Sequence, residues 1–155
     1  MKKILILIIA LFGIILGIVL AQNYLKNNTS FFTKLPTQTI RDKTFKLEVA
    51  KTDKDRETGL SDRESLPADR AMLFTFDKSD YYSFWMKDMR FPIDIIFING
   101  DTIVTIYENV QPTPQGQSAV IYQPKSPADL VLEINGGLSS KYGFEEGDKV
   151  KIENL

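Results

Sequence analysis

The sequence predicts a mainly β domain, α+β at the margin: a compact barrel-like or strongly curved antiparallel sheet with two short helices, preceded by an N-terminal hydrophobic helix. Three observations predict it. Short runs of apolar, β-branched or aromatic residues follow one another, each bounded by turn residues. Only two brief stretches carry helix start and stop signals. An unbroken apolar run, 4–21, follows the basic start Met1-Lys2-Lys3 and differs from everything after it.

The run 4–21 would form a helix of roughly 27 Å, close to the hydrocarbon thickness of a bilayer. It is longer than the usual core of a cleaved signal, although Val19-Leu20-Ala21 offers a small-residue cleavage site. The expectation is a membrane partner reached through residues 4–21. Lys2 and Lys3 would stay inside, leaving a single-pass protein of the cell membrane with its domain extracytoplasmic. Cleavage after Ala21 would instead give a secreted form. Residues 22–38 are polar and irregular and read as a tether. They hold a glycosylation sequon, Asn28-Thr29-Ser30, and two aromatic residues, Phe31 and Phe32, suited to a membrane interface or to packing.

The domain is expected over 39–155. Strands are predicted at 44–50, 72–76, 82–87, 94–98, 102–110, 130–134 and 148–153. Asn99-Gly100-Asp101 is a hairpin signal between the fourth and fifth, and Gly147-Asp148 is a second turn. A helix is predicted over 53–60, with Thr52 or Asp53 as its N-cap and Gly59 near its end. A second covers 138–142 and stops at Gly143. Residues 111–127 carry four prolines and read as a long loop.

Composition excludes whole classes of chemistry. There is no Cys and no His in 155 residues. A disulfide, a thiol nucleophile, a Ser-His-Asp triad and a zinc site of Cys or His ligands are therefore ruled out. Any reaction must use carboxylates, Lys, Tyr, hydroxyls or backbone. A net charge of −1 gives no reason to expect a nucleic-acid partner. Without disulfides, an exported domain must be held by its hydrophobic core.

Several strings resemble those of the DUF192 (UPF0127) family of small exported or membrane-tethered proteins. They are Glu48-Val49-Ala50 with Arg56 and Gly59-Leu60, then Arg63 with Leu66-Pro67 and Met72-Leu73-Phe74-Thr75-Phe76. Next come Phe84-Trp85-Met86-Lys87-Asp88-Met89 and Pro92-Ile93-Asp94-Ile95-Ile96-Phe97-Ile98. Ile106-Tyr107-Glu108-Asn109, Val131-Leu132-Glu133-Ile134-Asn135 and Gly147-Asp148-Lys149-Val150 complete the resemblance. It implies a small, mainly β, barrel-like fold and says little about activity. Asp88 stands where the family usually has Asn, and Ala71 where it usually has Gly.

On a strand over 82–87, Trp85 and Lys87 share a face. That gives either a core indole edged by a lysine, or an apolar floor with one ammonium for an anionic or carbonyl-bearing ligand. Asp94 follows Pro92 and is expected to bond backbone N–H groups at that turn, or to pair with Lys87 or an Arg. Glu133 lies inside an apolar strand, on the face opposite Leu130, Leu132 and Ile134. If buried it should be paired, with Lys87, Arg56 or Arg63. Arg63 is expected to bond carbonyls after the helix or to reach a carboxylate of the sheet. Gly136-Gly137 offers N–H groups that can hold an anion, or simply a helix start.

Asp88, Asp94 and Glu133 show no spacing that points to a metal loop or an acid pair. No catalytic residue, metal ligand or cofactor is assigned. Trp85, Lys87, Asp94, Glu133 and Arg63 are the candidate binding residues. The reading that follows is a non-enzymatic binding or scaffolding domain, with an unknown envelope ligand or membrane-protein partner. A small envelope hydrolase using Lys87 with carboxylates, and an accessory subunit of a membrane protein, are the alternatives.

Overall fold

The computed structural model describes residues 2–28 and 34–155. The sequon residues Thr29 and Ser30, with Phe31 and Phe32, lie outside them. The chain divides into two compact units, Met1–Lys34 and Leu35–Leu155. The first is a helix, α1 (Lys2–Asn28). Among the described residues no helix is long and apolar enough to cross a membrane. Residues 5–10, which lengthen the apolar run in the sequence, are outside the described side chains.

The second unit is a seven-stranded sheet. Its strands are β1 (Thr37–Ile40), β2 (Lys43–Ala50), β3 (Arg70–Asp80), β4 (Ile93–Asn99), β5 (Thr102–Val110), β6 (Ala128–Asn135) and β7 (Val150–Glu153). The spatial order is β5-β4-β6-β3-β2-β1-β7. The two end strands approach each other. Thr102 and Lys149 form a bridge, Ile103 N–H donates to Asp148 O at 3.0 Å, and Val150 N–H donates to Asp101 O at 2.8 Å. The sheet is therefore strongly curled, the mainly β, barrel-like architecture expected.

Both faces of this sheet are dry, for a reason visible in β4. Ile93, Ile95 and Phe97 pack into one cluster with Met72, Phe74 and Val131, while Ile96 and Ile98 pack into another with Leu73, Leu132 and Ile134. A strand covered on both sides needs a continuous apolar run rather than alternation. The second cluster draws on all seven strands and fills the inside of the curl. The first lies on the outer face, under the connections that carry Leu60, Leu66 and Met86.

Two short helices close the gaps. In α2 (Asp53–Thr58) the Thr52 side chain accepts from Asp55 N–H and the Asp55 carboxylate accepts from Thr52 N–H, a capping box, and Gly59 ends it at φ 50°. Helix α3 (Leu138–Tyr142) runs from Gly137 to Gly143, as the sequence indicates.

Four expectations are corrected. Residues 82–87 are not a strand. They form an irregular strap with a single bridge, Phe84 to Tyr122. Both edges of β3, the strand before it, are already taken by β2 and β6, so the strap finds no ladder to join. A strand at 37–40 was not expected, since Thr37-Gln38-Thr39 is polar. It exists because it pairs on both sides, with β2 and with β7, and it takes residues 37 and 38 out of the stretch read as tether. The sheet is not wholly antiparallel, because β2 and β3 run parallel across the α2 crossover. The strand placed at 148–153 starts only at Val150, since Gly147 and Asp148 make the turn.

Candidate functional site

A pocket of about 250 Å³ opens on the outer face of the sheet, beside α2. Its inner wall is β3 and β6: Phe74 and Phe76 from the one, Glu133 from the other. The period of two sets this up, because Met72, Phe74 and Phe76 must face the same way. Glu133 lies directly between Met72 and Ile95 in the register. Helix α2 and its exit supply one side, with Asp53, Arg56, Glu57, Leu60 and Ser61. The strap supplies the other, with Tyr82, Phe84, Trp85 and Lys87.

The strap is pinned rather than paired. Phe84 and Tyr122 exchange backbone bonds of 2.9 and 2.8 Å. Ser61 Oγ donates to Lys87 O, and Asp62 N–H donates to Asp88 O, both at 2.9 Å. Asp88 sits at φ 53°, a left-handed conformation that Asn and Asp tolerate best. The backbone thus accounts for a short polar side chain at this position. Aromatic edges lock the wall. Phe84 meets Phe74 at 5.0 Å and Phe97 at 5.7 Å, both near perpendicular, while Phe76 stacks on Tyr82 at 3.6 Å.

Glu133 is the unusual group. It is 6% exposed, and among the described residues no hydrogen bond or ion pair reaches its carboxyl. The expected partners are engaged elsewhere. Arg56 donates to the carbonyls of Lys51 and Thr75 at 2.6 and 2.8 Å, bonds Asp53 at 2.6 Å and lies over the Phe76 ring. Arg63 bonds Glu48 at 2.8 Å. Lys87 is exposed at the mouth and meets no carboxylate among the described residues. Burial pushes the Glu133 carboxyl up to about 8, and the positive charge of Arg63 opposes this only in part. The expectation that a buried Glu133 must be paired is therefore corrected. It meets the cost of burial by holding its proton.

Asp94 does not join this pocket. It is fully buried on the opposite face, and its Oδ1 accepts from Asn109 N–H and Gly137 N–H, both at 2.7 Å. Its Oδ2 accepts from Ser139 N–H at 2.6 Å. This is the backbone-bonding role expected of it, but at the start of α3 rather than at Pro92. It also answers the Gly136-Gly137 reading. The anion held by Gly137 N–H is the chain's own carboxylate, and Gly136 N–H donates to Pro92 O. Arg63 takes a structural pairing with Glu48.

Of the five candidate residues, then, Trp85, Lys87 and Glu133 line one pocket, and Asp94 and Arg63 do not. Sequence reasoning misses the aromatic walls Phe74, Phe76, Tyr82 and Phe84. The signal is the aromatic density of Tyr81-Tyr82-Ser83-Phe84-Trp85. Strict alternation divides those rings between two faces, whereas the irregular strap turns four of these residues into the same cavity.

The family model DUF192, described as "Uncharacterized ACR", matches residues 36–152. Among curated proteins none matches. Two solved structures are similar. One is a protein of unknown function from Novosphingobium aromaticivorans, 33% identical, with 75% of this chain and 82% of that chain covered and a TM-score of 0.65. The other, from Sinorhizobium meliloti, is described as a candidate transcription regulator. It is 31% identical, with 77% of this chain and 95% of that chain covered and a TM-score of 0.68.

Proposed function

The chain belongs to the DUF192 family, and we propose that its domain is a non-enzymatic binding module whose ligand occupies the Glu133 pocket. One observation carries this reading: a buried carboxyl without a protein partner, facing an aromatic cavity large enough for a small molecule. A fold gains nothing by burying a lone acid, so the group is better explained by what it receives. Trp85 and Lys87 at the mouth complete the surface. The binding module is displayed outside the cytoplasmic membrane, either anchored through residues 4–21 or released by cleavage after Ala21. The basic start and the length of the apolar run support this. The description of the Sinorhizobium protein as a regulator does not carry over, since a net charge of −1 offers no footprint for a nucleic acid.

The test is saturation-transfer NMR with single-ring compounds, uncharged, cationic and anionic, on the wild type and on Ser61→Trp, which fills the pocket wall. Binding in the wild type that is lost in the folded variant supports the module. Absence of binding across the panel, or equal binding in Ser61→Trp, removes it.

A second reading has its own support. A carboxyl poised near neutral pH inside an apolar cleft is what general acid–base catalysis uses. A hydrolase of an envelope polymer would employ Glu133 as the proton carrier, with Lys87 at the mouth. Turnover of a defined glycan or peptide, abolished in folded Glu133→Gln and Lys87→Met, would establish it. Turnover unchanged in both variants would exclude it.

A further inference from the structure

We infer that the occupant of this pocket is an organic ammonium ion with a compact apolar body, its cationic head seated against the Glu133 carboxylate and its body among the rings of Phe74, Phe76, Phe84 and Trp85. The inference rests on the binding role proposed above and specifies its ligand. Three features select the chemistry. First, the carboxyl has no protein counter-charge at contact distance, because Arg56 and Arg63 are spent on other acceptors. Second, the walls are aromatic and apolar, which suits the body of such a ligand. Third, the charges at the mouth balance. Among the residues that line the pocket, Asp53 and Glu57 offset Arg56 and Lys87, so an ionised Glu133 leaves the lining one negative charge in excess, while Arg63, outside the lining, is held by Glu48.

The titratable and charged groups facing Glu133 are Asp53, Arg56 and Glu57 from α2, Arg63 from its exit, and Tyr82 and Lys87 from the strap. Glu48 and Arg70 stand behind Arg63. Without a ligand the carboxyl keeps its proton near neutrality. Seating the cation releases that proton to solvent, while the ammonium keeps its own. Binding is therefore coupled to pH. Below about pH 8 the dissociation constant should fall about tenfold per unit of rising pH, and then level off.

Calorimetry of the full chain in a nonionic detergent tests this with 2-phenylethylammonium, its uncharged analogue 2-phenylethanol, and the anion 3-phenylpropionate. Buffers of different ionisation enthalpy count the protons. The expected result is tightest binding of the ammonium, with close to one proton released per site at pH 7. Glu133→Gln, checked for folding by circular dichroism, should weaken the ammonium about a hundredfold at pH 8 and leave 2-phenylethanol unchanged. If the ammonium binds without proton release, or equally well to Glu133→Gln, the inference is overturned. If 3-phenylpropionate binds tightest and is lost in Lys87→Met, the anchor is Lys87: the inference falls and the binding role stands. If none of the three binds, both fall.

Discussion

Glu133 stands in the register between Met72 and Ile95 and is buried, so its carboxyl loses most of its water. In the unfolded chain it ionises near 4.5, and in the fold near 8. Below pH 4.5 both states hold the proton and burial costs least. As pH rises, the unfolded state gives up its proton first, and stability falls by about 1.4 kcal/mol per pH unit until the folded group also ionises. Glu133→Gln removes this titration. Its stability should match the wild type near pH 4.5 and exceed it at pH 8 by on the order of 4 kcal/mol, an upper bound set by burial. Urea melts across that range check it, and parallel curves for the two proteins would refute it. Gln38 poses the milder version of the same problem. It is fully buried, and neither polar atom of its amide has a hydrogen-bond partner. Gln38→Leu should raise the melting temperature, gaining about 1–2 kcal/mol by removing an unsatisfied amide.

At the scale of elements, Asp94 joins three segments by one side chain. Its bonds to Asn109, Gly137 and Ser139 tie β4 to the end of β5 and cap α3, which has no side-chain cap at Gly137. Asp94→Ala would leave three backbone donors without an acceptor in a dry site, at a cost of about 3–5 kcal/mol. Gly136 shares this corner. A Cβ there would lie 2.9 Å from Asn109 Oδ1 and 3.0 Å from Pro92 Cβ, so Gly136→Ala should cost about 1–3 kcal/mol through the same junction. Chemical denaturation of both variants decides it, and a loss below about 1 kcal/mol for Asp94→Ala would show that the clamp matters little. Much of this scale is legible in the sequence. Thr52 with Gly59 and Leu138 with Gly143 mark α2 and α3, and the apolar run of β4 marks a strand. Asp94 reads as a backbone acceptor because Asp is disfavoured inside strands. The strap over 82–87 is not legible as such. Alternation records which side chains turn inward, and hydrogen bonding depends on whether a free edge exists. The parallel pairing of β2 with β3 is hidden for the same reason. For the pocket, the sequence marks Trp85, Lys87 and Glu133. It cannot show that Arg56 and Arg63 are committed elsewhere, which is the fact that makes Glu133 a candidate.

At the scale of the molecule, the unit Leu35–Leu155 has what an autonomous fold requires. It holds two apolar clusters on the two faces of one sheet, and its end strands β5 and β7 approach each other through backbone bonds where β5 begins. The proposed use of the first unit is placement. These two arguments give one prediction with two arms. A chain starting at Leu35 should be soluble and should unfold at the same temperature as the full chain. The full chain should sediment with membranes, resist alkaline carbonate extraction, and lose its domain to protease added from outside intact spheroplasts. If the shortened chain is unfolded, the division of the core drawn here is wrong. If the full chain is intact and freely soluble in the cytosol, residues 4–21 are not an anchor and the display of the pocket outside the membrane falls. If it is recovered from the medium beginning at Gln22, the same segment acts as a cleaved signal. The pocket then faces the same compartment without a tether, because export depends on the basic start and apolar length whether or not cleavage follows.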